Sequence, residues 1–85
     1  MKKIWFDEAW EDFEYWTKQD KKTMKRILQL LKDVDRNGYE GIGKPEPLKY
    51  RPGYSRRIDQ TNRLIYDVDT KDNLYIYSCK GHYED

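Results

Sequence analysis

The sequence predicts an α+β fold: two N-terminal helices packed on one face of a small antiparallel β-sheet. Three observations predict it. Apolar residues recur at helical spacing in two stretches before residue 36. From residue 48 onward, short runs of strand formers alternate with turn residues. A brief strand-forming stretch precedes the first helix.

The elements follow in order. Residues 2–6 read as a strand on the strength of Ile4, Trp5 and Phe6. Asp7 is the expected N-cap of helix one, whose single stripe is Ala9, Trp10, Phe13 and Trp16. The stripe matches the helical period, so a core face explains it better than a ligand platform. Asp20 is placed to cap a second helix running to about Asp35, with Met24, Ile27, Leu28, Leu31 and Val34 buried. Its lysines and Arg26 read as a solvated face. Asn37-Gly38 ends that helix with residues that tolerate left-handed backbone. Gly41, Gly43, Pro45 and Pro47 make a loop. Strand-like runs then cover residues 48–51, 54–59, 63–69 and 74–80, with turns at 52–53, 60–62 and 70–73.

Eighty-five residues suit one small domain, residues 1–85. A chain this short buries only about 60–65% of its unfolded surface. Its three Trp, eight Tyr and two Phe compensate, since each aromatic can bury roughly 150–250 Å². The single Cys79 has no internal partner and reads as a small buried hydrophobe in a reducing cytosol. No apolar run suits a signal peptide or a membrane span, so a cytoplasmic protein without membrane contact is expected. One Cys and one His do not make a recognisable zinc site, and no metal is expected.

A net charge of +1 hides an asymmetry. Residues 7–14 carry five acids and no base, which suits a helix start. Residues 44–63 carry six bases (Lys44, Lys49, Arg51, Arg56, Arg57, Arg63) against Glu46 and Asp59. This segment is the expected polyanion-binding surface. Within it the hydrophobic pattern sets a hairpin register. If Ile58 faces Leu64, then Asp59 pairs with Arg63 across a three-residue loop and Arg57 lies opposite Ile65. Alternation then puts Arg57 and Arg63 together on the sheet face away from the helices. Alternation does not place His82, because Leu74 and Ile76 compete with Tyr75, Tyr77 and Cys79 for the core face, and Gly81 could bulge the strand end.

The segment Gly43-Lys44-Pro45-Glu46-Pro47-Leu48-Lys49, the runs Ser55-Arg56-Arg57-Ile58 and Asn62-Arg63-Leu64-Ile65-Tyr66, and the ending His82-Tyr83 resemble the YoeB toxins, within the wider RelE toxin superfamily. Ile4-Trp5 and the stretch from Trp10 to Trp16 are similar too, so the resemblance covers residues 1–83. Glu84 and Asp85 extend past the ending the family pattern implies. The resemblance implies a RelE-like fold and the toxin of a toxin–antitoxin pair. It implies a ribosome-dependent, metal-independent endoribonuclease that cleaves mRNA in the ribosomal A site without a cofactor. Its partners would be mRNA, the ribosome and a cognate YefM-like antitoxin. By the same resemblance Glu46 would be the general base, Arg63 the phosphate clamp and His82 the general acid. Lys49 and Arg57 would be supporting cations, and Tyr83 a positioning or stacking residue. Lys44 and Arg56, in the same basic stretch, join them as expected substrate contacts. A homodimer stays open, since no apolar stripe beyond the core marks an interface.

The chemistry is compatible with this assignment. RNA carries its own nucleophile, the 2′-OH. A base must take its proton, and an acid must protonate the leaving 5′ oxygen, a task histidine suits near neutral pH. Guanidiniums stabilise the charge that spreads over the phosphoryl oxygens. Neighbouring cations weaken a carboxylate as a base, so two alternatives stay open: Glu46 depends on geometry supplied by the ribosome, or another group takes the proton. Two rival functions also stand: a ribosome- or RNA-binding module without catalysis, and a ParE-like inhibitor of another protein.

Overall fold

The computed structural model describes residues 1–81. Strand β1 (Lys2–Trp5) leads into helix α1 (Asp7–Gln19), followed by α2 (Lys21–Asn37). Four further strands complete the chain: β2 (Glu46–Pro47), β3 (Tyr54–Arg57), β4 (Arg63–Val68) and β5 (Asn73–Ser78).

One residue joins the helices. The Asp20 backbone N–H donates to Trp16 O at 2.9 Å and closes α1. Its carboxylate accepts from the backbone N–H groups of Lys22 (3.1 Å) and Thr23 (3.3 Å), and from the Thr23 hydroxyl (2.8 Å). The cap predicted for α2 therefore forms, and these bonds, led by the Thr23 hydroxyl, hold the Asp20 carboxyl below its usual range. The cap predicted for α1 does not. Phe6 holds the N-cap position without a side-chain hydrogen bond, and Asp7 is the first helical residue, where its charge with Glu8 meets the helix dipole. Gly38, with φ of 62°, stops α2 as expected.

The strands form one sheet in the order β1-β5-β4-β3-β2. Every pairing is antiparallel except that of β1 with β5, which is parallel. Ala9 from α1 and Ile27, Leu30, Leu31 and Val34 from α2 pack on Ile58, Leu64, Tyr66, Leu74, Ile76 and Cys79. Both helices thus cover one sheet face, as predicted. Three stripe residues differ from expectation: Trp10 and Leu28 are 48% and 40% exposed and Met24 is half-buried, while Thr23 and Leu30 of α2 are buried. Trp10 instead lies against the Trp5 ring, edge to face at 5.6 Å.

The expected strand over residues 48–51 does not form. Pro47 ends β2, the Leu48 N–H turns back to Gly53 O at 2.9 Å, and Tyr50 is left 81% exposed. A register shift between Ile65 and Tyr66 resolves the competition in β5. Tyr66 pairs with Ile76 and Ile65 with Ser78, so Tyr77 is an extra residue on β5. This bulge changes the phase of the strand and lets Leu74, Ile76 and Cys79 all reach the core. Burial pushes the Cys79 thiol up to about 12. No helix among the described residues is long and apolar enough to cross a membrane.

Candidate active site

The sheet face away from the helices carries the basic segment. The hairpin register there is Arg57 opposite Arg63, Arg56 opposite Leu64 and Ser55 opposite Ile65. This corrects the predicted pairing of Arg57 with Ile65 by two residues and leaves five residues between the strands. The cause is the Asp59 carboxylate. It accepts from the backbone N–H groups of Thr61 (2.8 Å) and Asn62 (2.7 Å) and from the Asn62 amide, which builds a wider turn. Burial raises the Asp59 carboxyl, but the hydrogen bonds from Asn62 and Thr61 outweigh it, so the net shift is downward.

A two-residue shift preserves sheet faces, so Arg57 and Arg63 still share the open face, now as a direct cross-strand pair. Like charges directly opposite are destabilising, with Cβ atoms about 4.5–5.5 Å apart. Part of the Arg63 charge is met by its own turn. Nη1 donates to Asp59 O at 3.0 Å and to Asn62 O at 3.3 Å. These bonds fix the guanidinium, and its Nε and Nη2 edge has no acceptor among the described residues. A guanidinium edge of this kind has the geometry to donate two parallel hydrogen bonds to an oxyanion. Arg57 is exposed on the same face.

Glu46 pairs with Ser55, one row along the same face, and its exposed carboxylate makes no ion pair among the described residues. Lys44 comes just before β2, beside the point where the Arg57 N–H donates to Gly43 O at 2.6 Å. Lys44 has a φ of 50°, a left-handed conformation that costs a non-glycine residue roughly 1–2 kcal/mol. Lys49 is exposed in the turn between β2 and β3. The structure therefore brings Glu46, Arg57 and Arg63 into neighbouring rows and leaves Lys44 and Lys49 at their margin. His82 and Tyr83 lie outside the described residues. The last described residue, Gly81, is tied to the start of β4: its N–H donates to Asn62 Oδ1 at 2.8 Å and its carbonyl accepts from the Arg63 N–H at 3.0 Å.

Arg56 corrects the sequence reading. It points into the helix side of the sheet and is fully buried. All five of its N–H donors have acceptors. Nε donates to the Tyr66 hydroxyl (3.0 Å), Nη1 to Asp33 Oδ2 and Ile42 O (3.2 Å), and Nη2 to Gly38 O (2.8 Å) and Glu40 O (2.6 Å). No donor is left for a substrate. The ion pair holds the Asp33 carboxyl below its usual range, against the opposing effect of burial. Arg56 instead fixes residues 38–42, the approach to Glu46. Two glycines permit that close fit. At Gly41, with φ of 117°, a Cβ would stand 1.9 Å from Asp33 Oδ2; at Gly43, with φ of 80°, it would stand 2.9 Å from Leu30 Cδ2. The signal for this role was present in the sequence: alternation puts Arg56 between Tyr54 and Ile58, both core-facing.

The molecule is a two-layer α+β domain with an arginine pair and a carboxylate one row along on its open sheet face. Comparison with known proteins makes the class specific. Residues 5–83 match the model of the YoeB-like toxin of bacterial type II toxin-antitoxin systems. The chain is 48% identical over 85 residues to Toxin YoeB of Escherichia coli strain K12, with 98% of this chain and 100% of that protein covered. It is similar to the YoeB dimer from Staphylococcus aureus, with a TM-score of 0.91 at 48% identity over 98% of both chains. A chain of the heterotetrameric YoeB-YefM toxin–antitoxin complex from Staphylococcus aureus is also similar, with a TM-score of 0.89 at 48% identity over 98% of both chains. The chain belongs to the YoeB-like toxin family.

Proposed function

We propose that this toxin is a ribosome-dependent endoribonuclease that cleaves mRNA in the ribosomal A site without a metal or cofactor. The observation that carries the reading is the Arg57–Arg63 pair, with the Arg63 fork edge open on the sheet face that also carries Glu46 one row along. A like-charge pair without a carboxylate partner is costly for a fold and useful for a polyanion.

In this mechanism Glu46 takes the proton of the 2′-OH, and the 2′ oxygen attacks the adjacent phosphorus. Arg63 binds the non-bridging oxygens through Nε and Nη2, and Arg57 adds charge beside it. The bond from phosphorus to the 5′ oxygen breaks, and His82 delivers the proton to that oxygen. The products are a 2′,3′-cyclic phosphate and a 5′-OH. Tyr83 stacks on or positions a base, and Lys44 and Lys49 contact the backbone at the margin. Translating ribosomes place this activity in the cytoplasm.

The partner is a YefM-like antitoxin, supported by the toxin–antitoxin complex of the Staphylococcus aureus relative. Its expected form is an acidic segment that folds onto the basic face. A homodimer is proposed on the example of the dimeric relative.

The test is cleavage of mRNA by purified toxin with and without ribosomes, comparing wild type with Glu46→Ala, Arg63→Ala and His82→Ala. The expected result is ribosome-dependent cleavage that leaves a cyclic phosphate, stops on a 2′-deoxy linkage and collapses in all three variants. Undiminished cleavage in the variants overturns the site. Ribosome binding without cleavage by wild type leaves a non-catalytic module.

A further inference from the structure

Beyond Ser78 the β5 ladder stops, and side chains take over the backbone. The Cys79 N–H donates to Asp12 Oδ2 at 3.0 Å, and its carbonyl accepts from Trp16 Nε1 at 2.9 Å. Both polar backbone groups of Cys79 are therefore held by α1, while its thiol is buried against Ala9 O at 3.6 Å. The Lys80 ammonium sits 4.2 Å from the centre of the Tyr15 ring. Gly81 is held in turn by Asn62 Oδ1 and the Arg63 N–H. The Asn62 amide has one orientation: its Nδ2 donates to Asp59 Oδ2 at 3.0 Å, which leaves Oδ1 for Gly81. Asp59 O also anchors the Arg63 guanidinium at 3.0 Å. One turn thus fixes the arginine and Gly81 together.

Three residues held from two sides, with the bond from the Arg63 N–H to Gly81 O as their backbone link to β4, form a mount rather than a strand. In sequence the mount leads directly into His82. We infer that Asp12 and Asn62 are positioning residues for the general acid, gripping the backbone at Cys79 and Gly81 so that His82 can protonate the 5′ leaving oxygen of a phosphate whose non-bridging oxygens Arg63 holds. The inference rests on the acid role given to His82 above. Neither side chain transfers a proton or touches the substrate.

The test separates placement of the acid from ordinary stability. Ribosome-bound mRNA is prepared with the normal linkage or with sulfur replacing the bridging 5′ oxygen at the cleaved position. A thiolate leaves without a proton, so cleavage of the sulfur linkage needs base and clamp but no acid. Single-turnover cleavage is measured at saturating toxin for wild type, His82→Ala, Asp12→Ala, Asp12→Asn and Asn62→Ala.

His82→Ala is expected to lose the acid's roughly 10²–10⁴-fold contribution on the normal linkage and to recover on the sulfur linkage. Asp12→Ala and Asn62→Ala are expected to lose roughly 10–100-fold of that same contribution and to recover likewise. Asp12→Asn, which keeps an acceptor for the Cys79 N–H, is expected to stay near wild type. Equal losses on both linkages in Asp12→Ala and Asn62→Ala overturn the inference, because the grips then serve folding or binding. Failure of His82→Ala to recover on sulfur overturns the acid assignment itself and the inference with it. If Asp12→Ala does not fold, Asn62→Ala decides by the same two readings.

Discussion

Arg56 and Arg57 are neighbours in β3 and have opposite fates. Arg56 is fully buried on the helix side with every donor satisfied, while Arg57 is exposed on the open face directly opposite another arginine. Strand alternation alone separates them. The inner arginine spends its charge on Asp33 and on three carbonyls of the loop before Glu46. The outer pair, Arg57 and Arg63, has no carboxylate partner among the described residues. Charge count along the basic segment therefore overstates the surface available to a polyanion. What matters is which charges the fold has already neutralised.

Substitutions on the two faces should break along that line. The largest effect is expected inside. Arg56→Met leaves the Asp33 carboxylate, only 15% exposed, without its cation, at a cost of about 3–5 kcal/mol. That is a large share of the roughly 5–15 kcal/mol that stabilises a small domain, so the midpoint of urea unfolding should drop sharply. The double variant Arg56→Met with Asp33→Leu should recover part of the loss, because a buried ion pair is often replaceable by apolar packing. Full recovery would mean that the carbonyl bonds to residues 38–42 contribute nothing.

Outside, stability and activity should separate. Arg63→Ala is expected to lower single-turnover mRNA cleavage about 10²–10³-fold, as for removal of one electrostatic donor to a transition state. Its urea midpoint should move far less than that of Arg56→Met. Arg57→Ala should leave stability within about 0.5 kcal/mol of wild type. It should also reduce the salt dependence of single-stranded RNA binding, lowering the slope of log affinity against log salt by about 0.7. An unchanged slope would mean that Arg57 meets no phosphate.

How much of this was legible in the sequence depends on the range of the interaction. Local signals were sufficient for Asp20 as a cap, Gly38 as a stop and the alternation that puts Arg57 and Arg63 on one face. The face survived an incorrect register because the error was two residues, a whole period of the strand. Non-local facts were hidden. The parallel pairing of β1 with β5 joins residues about 70 positions apart, and nothing in either strand announces it. The bulge at Tyr77 decides whether Cys79 faces in, and alternation carries no such information. The charge of Arg56 suggests a substrate contact, but its face, set by alternation between Tyr54 and Ile58, points it inward. The grips of Asp12 and Trp16 on Cys79 span more than 60 residues and use a carboxylate that reads as ordinary helix-surface charge.

The smallest expected effect concerns an aspartate that holds a turn at the far end of the sheet. Asp69 accepts hydrogen bonds from the backbone N–H groups of Lys71 (2.9 Å) and Asn73 (3.0 Å), from the Asn73 amide (3.0 Å) and from the Tyr75 hydroxyl (2.8 Å). These bonds, led by the Asn73 N–H, lower its carboxyl from 3.8 to about 2. A carboxyl depressed by folding stabilises the native state at pH values above its unfolded pKa, and that contribution disappears as pH falls through the folded value. Urea unfolding of wild type and Asp69→Asn should therefore differ by a constant amount from about pH 7 down to about pH 4, and converge toward about pH 2. Asp33 is lowered too, but it faces the buried Arg56, so protonating it leaves an uncompensated cation inside the protein. The acid limb of Asp69→Asn should thus remain steep, because the inner ion pair is still titrating there. A limb that flattens in Asp69→Asn alone would shift acid sensitivity from the core to the turn, and would sink the claim that the buried arginine controls the stability of this fold.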